Sequence, residues 1–326
     1  MKAISFDRGE VCLVDRALPE PGPGEALVRV LLAGICATDI QLLHGYQAFS
    51  GQPGHEFVGT VERCEAQPEL AGRRVVADIN VGCATCRWCR KGMRNHCPSR
   101  QVLGIKGLDG AFAEYVCLPA DNLYPVDPQI PDQEAVLAEP MAAALRVTQQ
   151  MHLTSECHLA VLGDGTLGLL SALSLSRLLP EVTLIGKHAS KLAVAGDQGL
   201  QTCRLESGQE RQGAEQLAGR FDVVVEATGR PQGLDLACGL VRPGGTVVLK
   251  TTTRQTVELN AANLAVNEIR LLGSRCGDMR QALHVLRSRS LHLSPLLSQT
   301  FPFSEFPAAL EAAQDKGSLK ILLDFG

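Results

Sequence analysis

His158-Leu-Ala-Val-Leu-Gly163-Asp-Gly165-Thr166-Leu167-Gly168, continued by the apolar run Leu169–Leu179, decides the fold. A short apolar run breaks at a glycine, and helical spacing begins where the last glycine stands, which reads as strand, turn and helix. In Gly-x-Gly-x-x-Gly the first glycine permits a tight turn. The second lets backbone approach a pyrophosphate, and the third lets helix pack on strand with the phosphate at the helix N-terminus. Alone the motif is weak, but its surroundings are specific. Val182–Ile185, Phe221–Ala227 before Thr228-Gly229, Gly245–Leu249 after Pro243-Gly244, and Ile269–Gly273 read as further strands with helical segments between them. Strands alternating with helices predict a parallel, doubly wound α/β sheet across residues 140–273.

Coenzyme choice is read from the end of the second strand, about 20 residues on, where a carboxylate would bind the 2′-hydroxyl of NAD. Gly186, Lys187 and His188 stand there instead, with Lys191 just beyond, offering room and positive charge to a 2′-phosphate. NADP(H) is therefore expected over NAD(H), with Asp164 inside the glycine turn as the one contrary charge.

Ahead of this region the texture is different. Val11–Val14, Glu25–Leu32, Phe57–Glu62 and Arg74–Ala77 read as strands between Pro and Gly turns, so residues 1–139 are expected to be β-rich. Within them, Gly34-Ile-Cys36-Ala-Thr38-Asp39 and Gly54-His55-Glu56 supply a thiol and an imidazole, ligands that suit a catalytic Zn²⁺ with one open position. Asp39 is placed to anchor those ligands and Glu56 either to anchor them or to bind directly. Thr38 has a hydroxyl close enough in sequence to pass on a proton. Glu139, before the helix-compatible Pro140, is a further metal-site candidate, and the third ligand stays open between Glu56 and Glu139.

Residues 82–98 hold Cys83-x-x-Cys86-x-x-Cys89 and, after seven intervening residues, Cys97. Four thiolates this close can close a tetrahedral cage with no open position, a structural zinc signature. Arg87, Arg90, Lys91 and Arg94 lie among them, where positive charge offsets the net negative charge of a Zn²⁺ bearing four thiolates.

Composition bounds the rest. The 326 residues allow two domains. Lys plus Arg is 31 against 35 for Asp plus Glu, so nothing in the charge balance draws nucleic acid. The charged N-terminus lacks a signal-peptide core, and no stretch of about 20 apolar residues predicts a membrane span. Twelve cysteines without an export signal point to reduced thiols and the cytoplasm. Residues 274–326, with a helix at Met279–Arg287 and a strand at Lys320–Phe325, are too few for a domain and are expected to return to the first one.

Taken together, Gly34–Asp39, Gly54–Glu56, the four-cysteine lobe, Gly110-Ala-Phe-Ala-Glu114-Tyr115, Glu139-Pro140, Gly163–Gly168, Asp222-Val-Val-Val-Glu226-Ala-Thr228-Gly229 and Arg242-Pro-Gly-Gly245 carry a resemblance. The chain resembles the zinc-dependent medium-chain dehydrogenases/reductases, in the alcohol, polyol and threonine dehydrogenase branch. The resemblance implies a GroES-like catalytic domain, a Rossmann coenzyme domain, a small-molecule alcohol or carbonyl substrate, and a homodimer or homotetramer. It implies that Cys36 and His55 ligate the catalytic zinc with Glu56 as ligand or neighbour, and that Glu139 stands where many alcohol dehydrogenases have a cysteine, as in polyol enzymes. Arg275 falls where polyol enzymes pair an arginine with that glutamate, and it is counted with Thr228 among coenzyme contacts. Gln41 occupies the place of a relay histidine, which leaves Thr38, and more weakly His44, to move the proton. Tyr46, Phe49, Phe112 and Met279 are candidates for the apolar side of the pocket. The expected reaction is hydride transfer between an alcohol and NAD(P). The alternatives are carbonyl reduction, or a non-catalytic zinc and nucleotide scaffold or sensor.

Overall fold

The computed structural model describes every residue except Arg8, Gln47, Ala48, Ser207, Arg254 and Glu258. The chain divides into two compact units, Met1–Glu139 with Met279–Gly326, and Pro140–Asp278.

The first unit is built on a sheet in which the strands Leu123–Pro125, Arg74–Ala77, Glu56–Cys64, Glu25–Ile35, Lys320–Asp324 and Leu297–Pro302 lie side by side, with Tyr115–Pro119 also pairing with Glu25–Ile35. Glu25–Ile35 is its centre because its residues are mostly buried and it has partners along both edges. The C-terminal strand Lys320–Asp324 runs antiparallel to it, so the last residues complete the first domain's sheet. An N-terminal hairpin, Lys2–Asp7 with Glu10–Asp15, lies outside this sheet. Two helices follow the β-rich part, Asp132–Ala135 and Ala138–Gln150. Phe112 and Met279, proposed for a pocket wall, are core residues at 0% and 3% exposure, and Phe112 packs its ring 5.8 Å from that of Phe306.

The second unit is a six-stranded parallel sheet in the spatial order Gln201–Arg204, Val182–Gly186, Leu159–Leu162, Phe221–Glu226, Val241–Leu249, Arg270–Gly273. All four residues of Leu159–Leu162 are buried. A parallel strand covered on both faces needs a continuous apolar run rather than alternation, which is why this one was readable. The order reverses between Leu159–Leu162 and Phe221–Glu226, and ligands of such sheets bind at that switch point, beyond the carboxyl ends of the strands. No helix among the described residues is long and apolar enough to cross a membrane.

Candidate functional site

Strand register assembles the metal candidates. Glu25–Ile35 stops one residue before Cys36, with Gly34 opposite Glu56 and Ile35 opposite Ile321. His55 and Glu56 thus reach Cys36 from one neighbouring strand and Lys320 from the other. A Cβ on Gly34 would stand 2.8 Å from Glu56 Oε2 and 3.1 Å from Lys320 Cδ, so only glycine lets the two side chains converge there. The Cys36 sulfur, a His55 ring nitrogen and a Glu56 carboxylate oxygen lie within 4.8 Å of one another.

Asp39 joins two of these residues. It is fully buried in the first turn of the helix Ala37–Leu43. Its Oδ2 accepts the Cys36 backbone N–H at 2.8 Å, and its Oδ1 lies 3.3 Å from His55 Nδ1. With Nδ1 turned to a carboxylate, Nε2 is the ring nitrogen left for a metal. Burial alone would depress the imidazole, but Asp39, helped by Cys36, lifts its pKa well above the usual 6.5.

Lys320 is buried as well. Its Nζ donates to the Ile35 carbonyl at 3.2 Å and pairs with Glu56 Oε2. Burial opposes its charge, yet Glu56 and then Cys36 outweigh that and hold its pKa above the ordinary value. With the thiolate formed, Cys36, Asp39 and Glu56 bring three negative charges against one positive from Lys320. A divalent cation would bring this buried set to neutrality, as buried charges require. A thiolate, an imidazole and a carboxylate are also a donor set that fits Zn²⁺.

Glu139, in the first turn of Ala138–Gln150, stands outside this close group. It is half-buried, and desolvation, opposed by His55 and reinforced by Glu56, pushes its carboxyl up to about 7. Thr38 is half-buried at the second position of Ala37–Leu43, while His44 is exposed at the end of that helix. Gln41 keeps a buried Oε1 without a hydrogen-bond partner.

The second cluster is local. The sulfurs of Cys83, Cys86, Cys89 and Cys97 also lie within 4.8 Å of one another. Backbone N–H groups point at them: Cys83 N donates to Cys97 Sγ at 3.4 Å and Cys89 N to Cys86 Sγ at 3.5 Å. Hydrogen bonds led by the Thr85 hydroxyl draw the Cys83 thiol down to about 6, whereas burial and neighbouring thiols push Cys89 up to about 11.

In the second unit the glycine turn has the shape its motif implies. Gly163 has φ of +123°, and a Cβ there would meet the Ala227 carbonyl at 2.5 Å; one on Gly168 would meet Gly163 O. At Gly165, which precedes the helix Thr166–Leu175, a Cβ would meet nothing within 4 Å. The protein itself thus leaves that position open for a pyrophosphate. Thr228 is fixed by the buried Glu226, whose Oε1 accepts from its N–H at 2.8 Å and its hydroxyl at 2.6 Å. Arg275 is half-buried just past Arg270–Gly273, and Lys191 is only 8% exposed.

At the end of Val182–Gly186 the contrary charge of the glycine turn takes a definite place. Asp164 reaches over from the glycine turn, its Oδ2 accepting Lys187 N–H and His188 N–H at 2.7 Å each, with His188 Nδ1 3.1 Å away. Burial would raise the Asp164 pKa, but the bonds from His188 and Lys187 lower it.

Comparison with known proteins gives the family. Residues 22–128 match the family described as "Alcohol dehydrogenase GroES-like domain", and residues 167–288 the one described as "Zinc-binding dehydrogenase". D-altritol 5-dehydrogenase of Agrobacterium fabrum is 34% identical, covering 98% of each chain. The chain belongs to the zinc-dependent medium-chain dehydrogenase/reductase family. This dehydrogenase is also 30% identical to erythritol/L-threitol dehydrogenase of Mycolicibacterium smegmatis, over 95% of its own length and 93% of the relative's. A protein of Sinorhizobium meliloti 1021, solved with NADP bound, superimposes with a TM-score of 0.87 at 28% identity, covering 99% of this chain and 98% of the other. The protein is therefore a zinc-dependent oxidoreductase that transfers hydride between a small-molecule alcohol and NAD(P), on a GroES-like and a Rossmann fold.

Two residues escaped the sequence reading. Lys320 opens the closing strand, and nothing in its sequence neighbours points to Glu56; only the register places it there. Glu210 lies 23 residues after Lys187, with no periodic signal linking them, yet its Oε1 is 2.6 Å from Lys187 Nζ.

Proposed function

We propose that this dehydrogenase oxidises a secondary hydroxyl of a polyol, with NADP(H) as preferred coenzyme, at a zinc held by Cys36, His55 and Glu56. The close grouping of those three buried or half-buried donors carries the reading. The two polyol-dehydrogenase relatives support the substrate class. When bound, the zinc supplies Lewis acidity that makes a hydroxyl easier to deprotonate, and the nicotinamide accepts the hydride.

The chain's own residues do the rest. Asp39 fixes the His55 ring through Nδ1 and the Cys36 backbone through its N–H, so both donors are oriented before substrate arrives. Lys320 holds one Glu56 oxygen and so limits how strongly that carboxylate repels the thiolate. Glu139, whose carboxyl stands at about 7 in the metal-free protein, is drawn toward the carboxylate by a bound zinc, and Thr38 Oγ1 passes the substrate proton outward. The lobe Cys83–Cys97 takes a second, structural zinc, consistent with four clustered thiols that leave no open position.

At the adenosine end, both Asp164 oxygens are engaged by Lys187 and His188, so this carboxylate is a backbone staple rather than a free acceptor for a ribose diol. Lys187 offers the 2′-phosphate its cation. The edge strand Arg270–Gly273 exposes Leu271, and the preceding helix exposes Val266 at 81%, which supports pairing with a second copy.

The test is a panel of polyols and simple alcohols with zinc-loaded protein, followed at the nicotinamide absorbance with both coenzymes and in both directions. Turnover of secondary polyol hydroxyls at higher kcat/KM with NADP is expected. No reduced coenzyme from any alcohol would overturn the reading.

A further inference from the structure

In a doubly wound sheet the adenosine ribose lies beyond the end of the second strand, here Val182–Gly186. Asp164, His188, Lys187 and Glu210 are linked to one another at that end. Asp164 is consumed by His188 and the backbone of Lys187, and a Cβ on Gly186 would meet it at 2.5 Å, so glycine there is what lets the staple form. The other two are Lys187 and Glu210. Chain following the strand Gln201–Arg204 folds back against the same end, with Leu205 N–H donating to Gly186 O at 2.7 Å, and this brings the helix Glu210–Glu215 alongside. Glu210 Oε1 accepts from Lys187 Nζ at 2.6 Å and Oε2 from Gly208 N–H at 3.1 Å. Both side chains are partly shielded, at 31% and 23% exposure. The Glu210 carboxyl is held down at about 2, first of all by Lys187, so it stays ionised wherever the enzyme works.

We propose that Glu210 is a specificity-determining residue, a carboxylate latch on Lys187 that a coenzyme 2′-phosphate must displace and a 2′-hydroxyl leaves closed. The inference rests on the reading of Lys187 as the 2′-phosphate cation. A neutral hydroxyl cannot compete with a carboxylate for an ammonium group, so NAD(H) binds with the pair intact. A 2′-phosphate carries nearly two negative charges. It takes Lys187 only by driving Glu210 off, and it then faces that freed carboxylate at short range, where the repulsion is weakly screened. Glu210 therefore narrows a preference that Lys187 creates, and the two coenzymes are kept closer in affinity than the cation alone would leave them.

Fluorescence titration of zinc-loaded full-length protein with NADPH and with NADH tests this in the wild type, Glu210→Gln, Lys187→Met and the double variant, each checked by its melting temperature. Glu210→Gln is expected to tighten NADPH about 10-fold and to leave NADH within about twofold. Lys187→Met should weaken NADPH about 10-fold and shrink the effect of the second substitution in the double variant to the part that comes from direct repulsion. An NADPH:NADH affinity ratio unchanged in Glu210→Gln, or a gain that is undiminished without Lys187, overturns the latch. Glu210→Ala gives the same reading should the glutamine variant fail to fold. If the wild type binds neither coenzyme, the coenzyme assignment itself fails; if it binds both and only the ratio is insensitive, the latch alone does.

Discussion

The two candidate metal clusters of the first unit are made in opposite ways. Cys83, Cys86, Cys89 and Cys97 come from one short loop and include an exposed cysteine. Cys36, His55 and Glu56 are brought together by the register of separate strands, with buried Asp39 and Lys320 behind them. A loop too small for its own apolar core can be held by a metal, so its ligation is folding energy. A site built on a sheet already has its core, so its metal is available for chemistry and its ligands can be oriented by a rigid support.

The difference is broken most severely at the ligands. His55→Ala is expected to lower kcat/KM on the order of 10³-fold, since the Lewis acid is worth several kcal/mol, while residues 82–98 stay as protected as in the wild type. Cys97→Ser should do the reverse, opening residues 82–98 to proteolysis and hydrogen exchange. Activity assays beside limited proteolysis would reveal any exchange of these two outcomes.

Next in size is the ion pair behind the sheet-built site. Lys320→Ala strands a buried carboxylate, and removing one partner of such a pair costs about 3–5 kcal/mol, measurable by urea denaturation. Lys320→Met with Glu56→Gln should recover much of that stability but not the activity. Full activity in the double variant would show that Glu56 is not a ligand.

Asp39→Asn keeps the shape and removes the charge that faces His55 Nδ1. Zinc affinity should fall about 10- to 100-fold, as for other residues that orient a ligand, in a competition titration against a chelator; the lobe's zinc should be untouched.

The smallest effect is one of pH. Glu139 ionises near 7 in the folded metal-free protein against an ordinary value of 4.5. Between those values the folded chain binds a proton that the unfolded chain has lost, so this group's contribution to stability declines as pH rises from about 4.5 to 7. Glu139→Gln should flatten the apo-protein's stability profile in that window, and zinc should flatten it too by favouring the carboxylate.

Legibility followed the same division. The four-cysteine loop and the glycine turn were readable because their geometry is local: spacing alone brings the thiols together, and one strand–turn–helix unit holds Gly163–Gly168. Cys36 and His55 were readable as residue types, but no spacing could say whether Glu56 or Glu139 joins them, because the register of Gly34 against Glu56 is a property of the sheet. Lys320 was lost for the same reason. Asp164 was counted only as a warning, since its reach to Lys187 and His188 depends on two parallel strands lying side by side. The strand Gln201–Arg204 carries Gln, Thr and Arg on an edge and mostly exposed positions, so no apolar pattern announced it.

Zinc stoichiometry by native mass spectrometry, on the wild type, His55→Ala and Cys97→Ser, bears on the central claim most directly. Two ions in the wild type are expected, one in each variant, with the His55→Ala protein folded and inactive. A single ion in the wild type, or His55→Ala retaining two ions and its activity, would contradict the assignment of Cys36, His55 and Glu56 as the catalytic metal site.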